Sequence, residues 1–347
     1  MSALKPIQII GGGLAGLTLG LALRRQEIPV TVLEAGCYPR HRVCGEFISG
    51  RGQGTLARLG CRQLMDDAGA VGARTVAFHS ATKSSATHIL PSPAICVSRF
   101  SLDAVLAKYF RELGGELCEG RRATAEDIGE GCVRATGRRA GAEENGARWF
   151  GLKIHARHVA LQADLEMHFS SRGYVGLCNV GGGQVNVCGL FRKRPDENGD
   201  ARDRLELLRG EPGSPLQRRL AGAEFDGDSF CAVAGLSLQP RQAAARAEIC
   251  AGDAITMIPP VTGNGMSMAF ESAELAVAPL AAWSRGEVTW DAARQKIARD
   301  CDALFARRLA WAQWLQRLVL MPVLQNPLLA LAARGDWLCR LAFSQTR

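Results

Sequence analysis

Gly11, Gly13 and Gly16 stand in "IIGGGLAGLTLG" at G-x-G-x-x-G spacing, directly after an apolar run. In a dinucleotide site each glycine has its own task. Gly11 permits the tight turn, Gly13 lets the backbone approach a pyrophosphate, and Gly16 lets helix and strand pack closely. Leu14 and Ala15, between them, fall at the helix start, where free N–H groups and the helix dipole favour an anion. Glu34 closes the next apolar run, where a carboxylate can accept hydrogen bonds from both hydroxyls of an adenosine ribose and would repel a 2′-phosphate. The elements needed to hold these groups are a strand over 7–10, a helix ending near Arg25 and a second strand over 30–34, a compact β-α-β unit. That chemistry is dinucleotide binding, and it fits FAD and NAD equally.

A second segment, "GDAITMIPPVTGNGMSMAFESAELA" over 252–276, separates the two. Asp253 follows a strand, where a carboxylate can hold a polyhydroxylated chain such as the ribityl tail of a flavin. Pro259 and Pro260 remove backbone donors and hold the chain extended. Gly263 and Gly265 let the backbone come close to a planar ligand, and a helix from about Met266 points its positive end there. That end suits negative charge on the N1 and C2 carbonyl region of a reduced flavin, a need NAD does not share.

On these residues the chain resembles the FAD-dependent oxidoreductases of the para-hydroxybenzoate hydroxylase superfamily, in particular its geranylgeranyl reductase and halogenase-like branch. "HRVCGEFISG" is similar to the loop that runs past the flavin, and the resemblance implies that Arg42 lies near the pyrophosphate or ribityl chain. Cys44, Gly45 and Glu46 match that branch. "VSRFSLDAVLAKYF" is similar to the helix whose leading arginine, here Arg99, reaches the cofactor, with Ser101 expected as its N-cap and Asp103 in its first turn. Cys44 and Glu46 are the catalytic candidates. A Cys44 thiolate would need a pKa lowered by positive charge such as Arg42, the alternative being an inert buried thiol. Glu46 reads either as a proton donor or as a carboxylate capping backbone N–H groups.

The chain also departs from the family. Thr256 replaces a frequent histidine, and Thr136 in "VRATGRR" replaces the aspartate linked to nicotinamide handling. Gly176, Cys178 and Asn179 stand where geranylgeranyl reductases carry Trp, Phe and Pro, which counts against a prenyl reductase. No tryptophan falls in the Trp-x-Trp-x-Ile-Pro pattern of the halogenases, which sets halogenation aside.

The remaining sequence frames these motifs. Many of seven stretches between 74 and 238 alternate apolar and polar residues at period two, predicting an antiparallel sheet over the flavin. The expected fold is α/β. A discontinuous Rossmann-like FAD-binding domain (1–75, 95–137 and 250–300) is interleaved with an antiparallel β-sheet substrate domain (76–94 and 138–249), and C-terminal helices occupy 301–347. Breaks at Pro322 and Pro327 would divide this tail into two or three helices. The tail reads as a layer packed on the nucleotide domain or as a basic amphipathic surface for peripheral membrane contact or a long apolar substrate. His155 and His158, three apart on a strand, face opposite sides, so no metal site is expected; they and His168 are candidate bases toward a phenol.

At 347 residues, with 47% hydrophobic and 22% charged content, the chain should fold into a large core. Its twelve cysteines are scattered without a Cys-x-x-Cys pair and are expected to be reduced, in a cytoplasmic protein. The net charge of +8 comes from dispersed arginines, which argues against nucleic acid. The expected activity is hydroxylation of an apolar, phenolic or polyketide-like small molecule by an FAD-dependent monooxygenase, with NADH or NADPH as electron donor and O2. Reduction of a carbon–carbon double bond by a flavin enzyme, and non-catalytic FAD or lipid binding, are the alternatives.

Overall fold

The computed structural model of the chain describes residues 3–138, 148–193 and 203–332, together with 340 and 343. β1 (Ile7–Ile10), α1 (Leu14–Arg24) and β2 (Val30–Leu33) form the β-α-β unit expected from the glycine spacing. β3 (Phe47–Ile48), α2 (Gly50–Arg58), α3 (Gln63–Asp67), β4 (Val71–His79), β5 (His88–Cys96), α4 (Arg99–Glu112), β6 (Glu116–Cys118) and β7 (Cys132–Arg134) follow. Next come β8 (Arg148–Arg157), β9 (Leu165–Phe169), β10 (Gly173–Asn179), β11 (Val185–Lys193), α5 (Asp203–Arg209), α6 (Pro215–Arg219), β12 (Glu224–Leu236) and β13 (Ile249–Cys250). The chain continues through α7 (Gly265–Ser284), α8 (Trp290–Val319) and α9 (Pro322–Ala332).

A five-stranded sheet in the order β13-β7-β1-β2-β6 carries the parallel pairing of β1 with β2 and β7. Its central strand is apolar on both faces because helices cover both, and Ile7, Ile9 and Ile10 are buried accordingly. α1 runs through this core with ten consecutive buried residues. A Cβ on its Gly20 would stand 2.8 Å from the Phe110 ring of α4.

The second sheet has eight strands in the order β12-β8-β11-β10-β9-β4-β5-β3. Its pairing is antiparallel except where β4 runs parallel to β9, with Val76 opposite Leu165. The antiparallel sheet expected from the alternation is present, with this one parallel pair inside it. Period-two patterning reports which face is buried and carries no information on strand direction. Here strands from two separated stretches of chain meet.

α8 is one unbroken helix. Pro322 opens α9 at a position whose N–H needs no partner, and Pro327 lies inside α9 rather than breaking it, at the loss of one backbone bond. The rest of the expected C-terminal segment, 333–347, lies outside the described residues apart from 340 and 343. Among the described residues no helix is long and apolar enough to cross a membrane, and every described cysteine is free.

Candidate functional site

A cavity of about 1300 Å³ lies between the two sheets. Gly11, Gly13, Leu14, Ala15, Glu34, Arg42, Arg99, Asp253, Pro260, Gly263, Gly265 and Met266 line it, as do Cys44 and Glu46. Gly16 stands behind this wall: a Cβ there would overlap the Gly11 carbonyl oxygen. Gly11 sits at φ 108, the conformation its tight turn requires. A Cβ on Gly13, Gly45 or Gly265 would meet nothing within 4 Å, so at three points the backbone borders open space.

Glu34 is buried, and its carboxylate accepts the Gly12 and Gly36 N–H groups, each at 2.9 Å. Burial opposes its ionisation, but the Gly36 N–H, Arg40 and Arg42 outweigh burial and hold the carboxyl below the usual range. Arg42 reaches 3.5 Å from both Glu34 and Asp103. Arg99 begins α4 and pairs with Asp103 through two 2.7 Å bonds. The N-cap of α4 is Ser98, whose hydroxyl accepts the Phe100 N–H, which corrects the expectation of Ser101. Asp103 is therefore the pairing partner of Arg99, outside the first turn.

Glu46 is fully buried and holds φ 54, a left-handed backbone that costs a non-glycine residue about 1–2 kcal/mol. One carboxylate oxygen accepts the Arg99 backbone N–H at 2.8 Å, and the other lies 2.7 Å from His155 Nε2. It thus caps a helix from within the cavity wall. Lys153, wholly buried on β8, stands 3.7 Å from Glu46 and 2.9 Å from His41 Nδ1. Lys153 and His41 were not singled out from sequence. The signal available was a lysine in the middle of the apolar alternation of β8.

Burial pushes the Cys44 thiol up, with Arg99 rather than Arg42 the opposing cation, which removes the route to a thiolate through a lowered pKa. Thr136 lines the cavity beside Gly137 at φ 76, so the turn persists without the charge. Thr256 is buried, and its hydroxyl accepts the Arg241 N–H.

The other histidines separate. His158 is exposed, at φ 58 just past β8. His168 joins His79 and Glu166 in a buried cluster whose ligand-type atoms lie within 4.8 Å of one another. Glu166 and His168 alternate along β9 with the cavity-lining Leu165, Met167 and Phe169, which places the cluster on the opposite face of the sheet. Arg219 Nε lies 3.1 Å from the Glu166 oxygen that both imidazoles face, so a cation already neutralises that carboxylate.

A family model described as an NAD(P)-binding Rossmann-like domain matches residues 9–70. No curated protein sequence matches the chain. Among solved structures the flavin-dependent brominase Bmp2 superposes with a TM-score of 0.73 at 17% identity, over 98% of this chain and 92% of that one. PqsL of P. aeruginosa, solved with 2-aminobenzoylacetate, superposes with a TM-score of 0.69 at 16% identity, over 92% and 98% of the two chains. A flavoprotein/dehydrogenase from Cytophaga hutchinsonii gives 0.72 at 14% identity, over 92% and 87%. The chain shares the fold of these flavin-dependent proteins.

The cavity residues fit the FAD that this fold accommodates. The space beside Gly13, Gly45 and Gly265 admits a ligand against bare backbone. Asp253 faces the cavity without a hydrogen bond among the described residues. Burial raises its carboxyl pKa, with Arg138 and Arg99 opposing. A half-buried carboxylate without protein donors has lost part of its hydration, and ligand hydroxyls would replace it.

Proposed function

We propose that the protein is an FAD-dependent monooxygenase that hydroxylates an apolar, electron-rich small molecule of phenolic or polyketide-like type. The supporting observation is the continuity of one cavity. Its glycine and arginine end suits a dinucleotide. Its other end is walled by Val76, Met167, Phe169, Leu190 and Leu236 from the eight-stranded sheet and by Trp311 and Leu318 from α8.

Bound FAD would supply the redox chemistry, taking electrons from NADH or NADPH and passing them to O2. The chain's own residues bind and orient. The amides at the start of α1 would hold the pyrophosphate, Glu34 the ribose and Asp253 the ribityl chain, and the start of α7 would offer its positive end to the ring. The apolar wall excludes water from the reacting centre. Trp314, Met321 and Val323 are exposed where α8 meets α9, and this edge is where an apolar substrate would enter, including one drawn from a membrane surface.

Purified protein should be yellow and should consume O2 with NADH or NADPH when a suitable phenol is present, giving a product heavier by one oxygen atom. Protein that takes up no FAD overturns the proposal. A second reading, reduction of a carbon–carbon double bond, is favoured by the buried Glu46 at the cavity wall, since such a reduction needs a protein proton. Anaerobic conversion of substrate with no oxygen in the product would select it.

A further inference from the structure

We propose that Glu46, Lys153 and His41 form a proton path from the cavity to the protein surface, with Glu46 as the inner terminus. The path rests on the flavin reading for its purpose but on geometry for its existence. Glu46 lines the cavity and is fully buried, so a proton on its carboxylate has no direct exchange with water. Lys153 Nζ lies between it and His41, 3.7 Å from Glu46 Oε1 and 2.9 Å from His41 Nδ1. His41 is half-buried and stacks on the exposed ring of Phe100 at 4.5 Å, which places the imidazole at the protein boundary.

His155 branches from this path and ends there. Its Nε2 holds Glu46 at 2.7 Å, while its Nδ1 is buried with no partner among the described residues, so no onward transfer exists. His155 is a positioning residue. The other charged or titratable groups around Glu46 are Arg99, Cys44, Cys178, Cys188 and Cys231, and those around His41 are His155 and Asp226. Among the described residues none of these bridges Glu46 and His41 as Lys153 does.

The transfer balances as follows. Lys153 Nζ gives a proton to the Glu46 carboxylate and becomes a neutral amine. His41, whose Nδ1 accepts from Lys153 and whose Nε2 therefore carries the ring proton, turns its ring to take a proton from water at Nδ1 and turns back as an imidazolium that returns that Nδ1 proton to Lys153. One proton has then moved from water to Glu46, with Lys153 and His41 restored. The Glu46–Lys153 gap must close by about 1 Å to reach hydrogen-bond length, which rotation of the lysine side chain supplies.

The test uses FAD-loaded protein without organic substrate, reduced anaerobically by methyl viologen radical, a one-electron donor that carries no proton. Two viologen radicals supply two electrons, and one proton must come from water. A pH-indicator dye follows its uptake while absorbance follows the flavin. In the wild type, uptake should keep pace with reduction; in Glu46→Gln and His41→Ala it should lag by about a hundredfold, and added imidazole should restore it in His41→Ala. Uptake that keeps pace in both variants overturns the path. If Glu46→Gln does not fold, His41→Ala at the half-buried end decides alone.

If the protein takes up no FAD, the flavin reading fails separately, and nitrogen-15 NMR of the FAD-free protein tests the path. The His41 Nδ1 signal should carry the shift of a hydrogen-bond acceptor and lose it in Lys153→Met. A signal unchanged by that substitution overturns the path.

Discussion

Arg99 and Asp103 face each other one turn apart at the start of α4, joined by two bonds of 2.7 Å, and Asp103 is wholly buried. The Asp103 carboxylate has no water to fall back on. Arg99→Met leaves the carboxylate buried with only Arg42 at 3.5 Å to answer it. The expected loss is about 3 kcal/mol of unfolding free energy, measured by urea denaturation of the FAD-free protein. An unchanged denaturation midpoint would sink this assignment.

Gly13 and Gly16 separate ligand space from packing. Gly13 has φ −85, which any residue adopts, and a Cβ there meets no protein atom within 4 Å. Gly13→Val should therefore leave the melting temperature of the FAD-free protein unchanged while weakening FAD binding at least about tenfold, a difference of roughly 1.4 kcal/mol. Gly16→Val drives atoms into the Gly11 carbonyl and should destabilise the fold itself. Calorimetry and FAD titration on both variants distinguish the two roles.

Asp253→Asn should raise the melting temperature of the FAD-free protein and lower its affinity for FAD. The folded-state pKa of Asp253 is raised by burial, so at neutral pH its charge opposes folding and the neutral amide removes that cost. FAD affinity should fall about tenfold for the lost charged hydrogen bond. Equal affinity in the two proteins would remove Asp253 from the cofactor site.

The buried cluster behind the sheet sets an acid limb of stability. His79 stacks on His168 at 4.2 Å. Burial first, then the His168 charge, pushes His79 down to about 4 from an ordinary 6.5, against the opposing pull of Glu166. Between those values the unfolded chain binds a proton that the folded chain refuses, so stability falls as pH drops from 6.5 toward 4. His79→Phe keeps a ring in the stack and should flatten that slope in unfolding measured from pH 7.5 to 4.5. It should also cost stability at pH 7.5 by breaking the 2.9 Å contact with Ser84.

The β-α-β unit and the second cofactor segment were legible because their requirements are local. Gly11 needs its backbone angle, Gly13 its missing side chain, and Pro259 with Gly263 breaks the chain just before α7. The start of α4 was misread by one turn. Ser98 and Ser101 are equally good caps by type, and what selects Ser98 is the Glu46 carboxylate receiving the Arg99 N–H from 53 residues away. Pairing of β4 with β9 and the meeting of Lys153 with His41, 112 residues apart, are likewise invisible to spacing. The cluster of His79, Glu166 and His168 was hidden for the same reason: its members lie on two strands joined only through the fold.

β3 is two residues long, yet it fastens the loop carrying Arg42, Cys44 and Glu46 to the edge of the large sheet by pairing with β5. The polypeptide shuttles repeatedly between the two sheets, so no single cut in the backbone releases either one whole. A substrate half cannot be exchanged between relatives as a cassette, and diversification of the binding chamber has to proceed side chain by side chain along strands whose ends remain sewn into the nucleotide half.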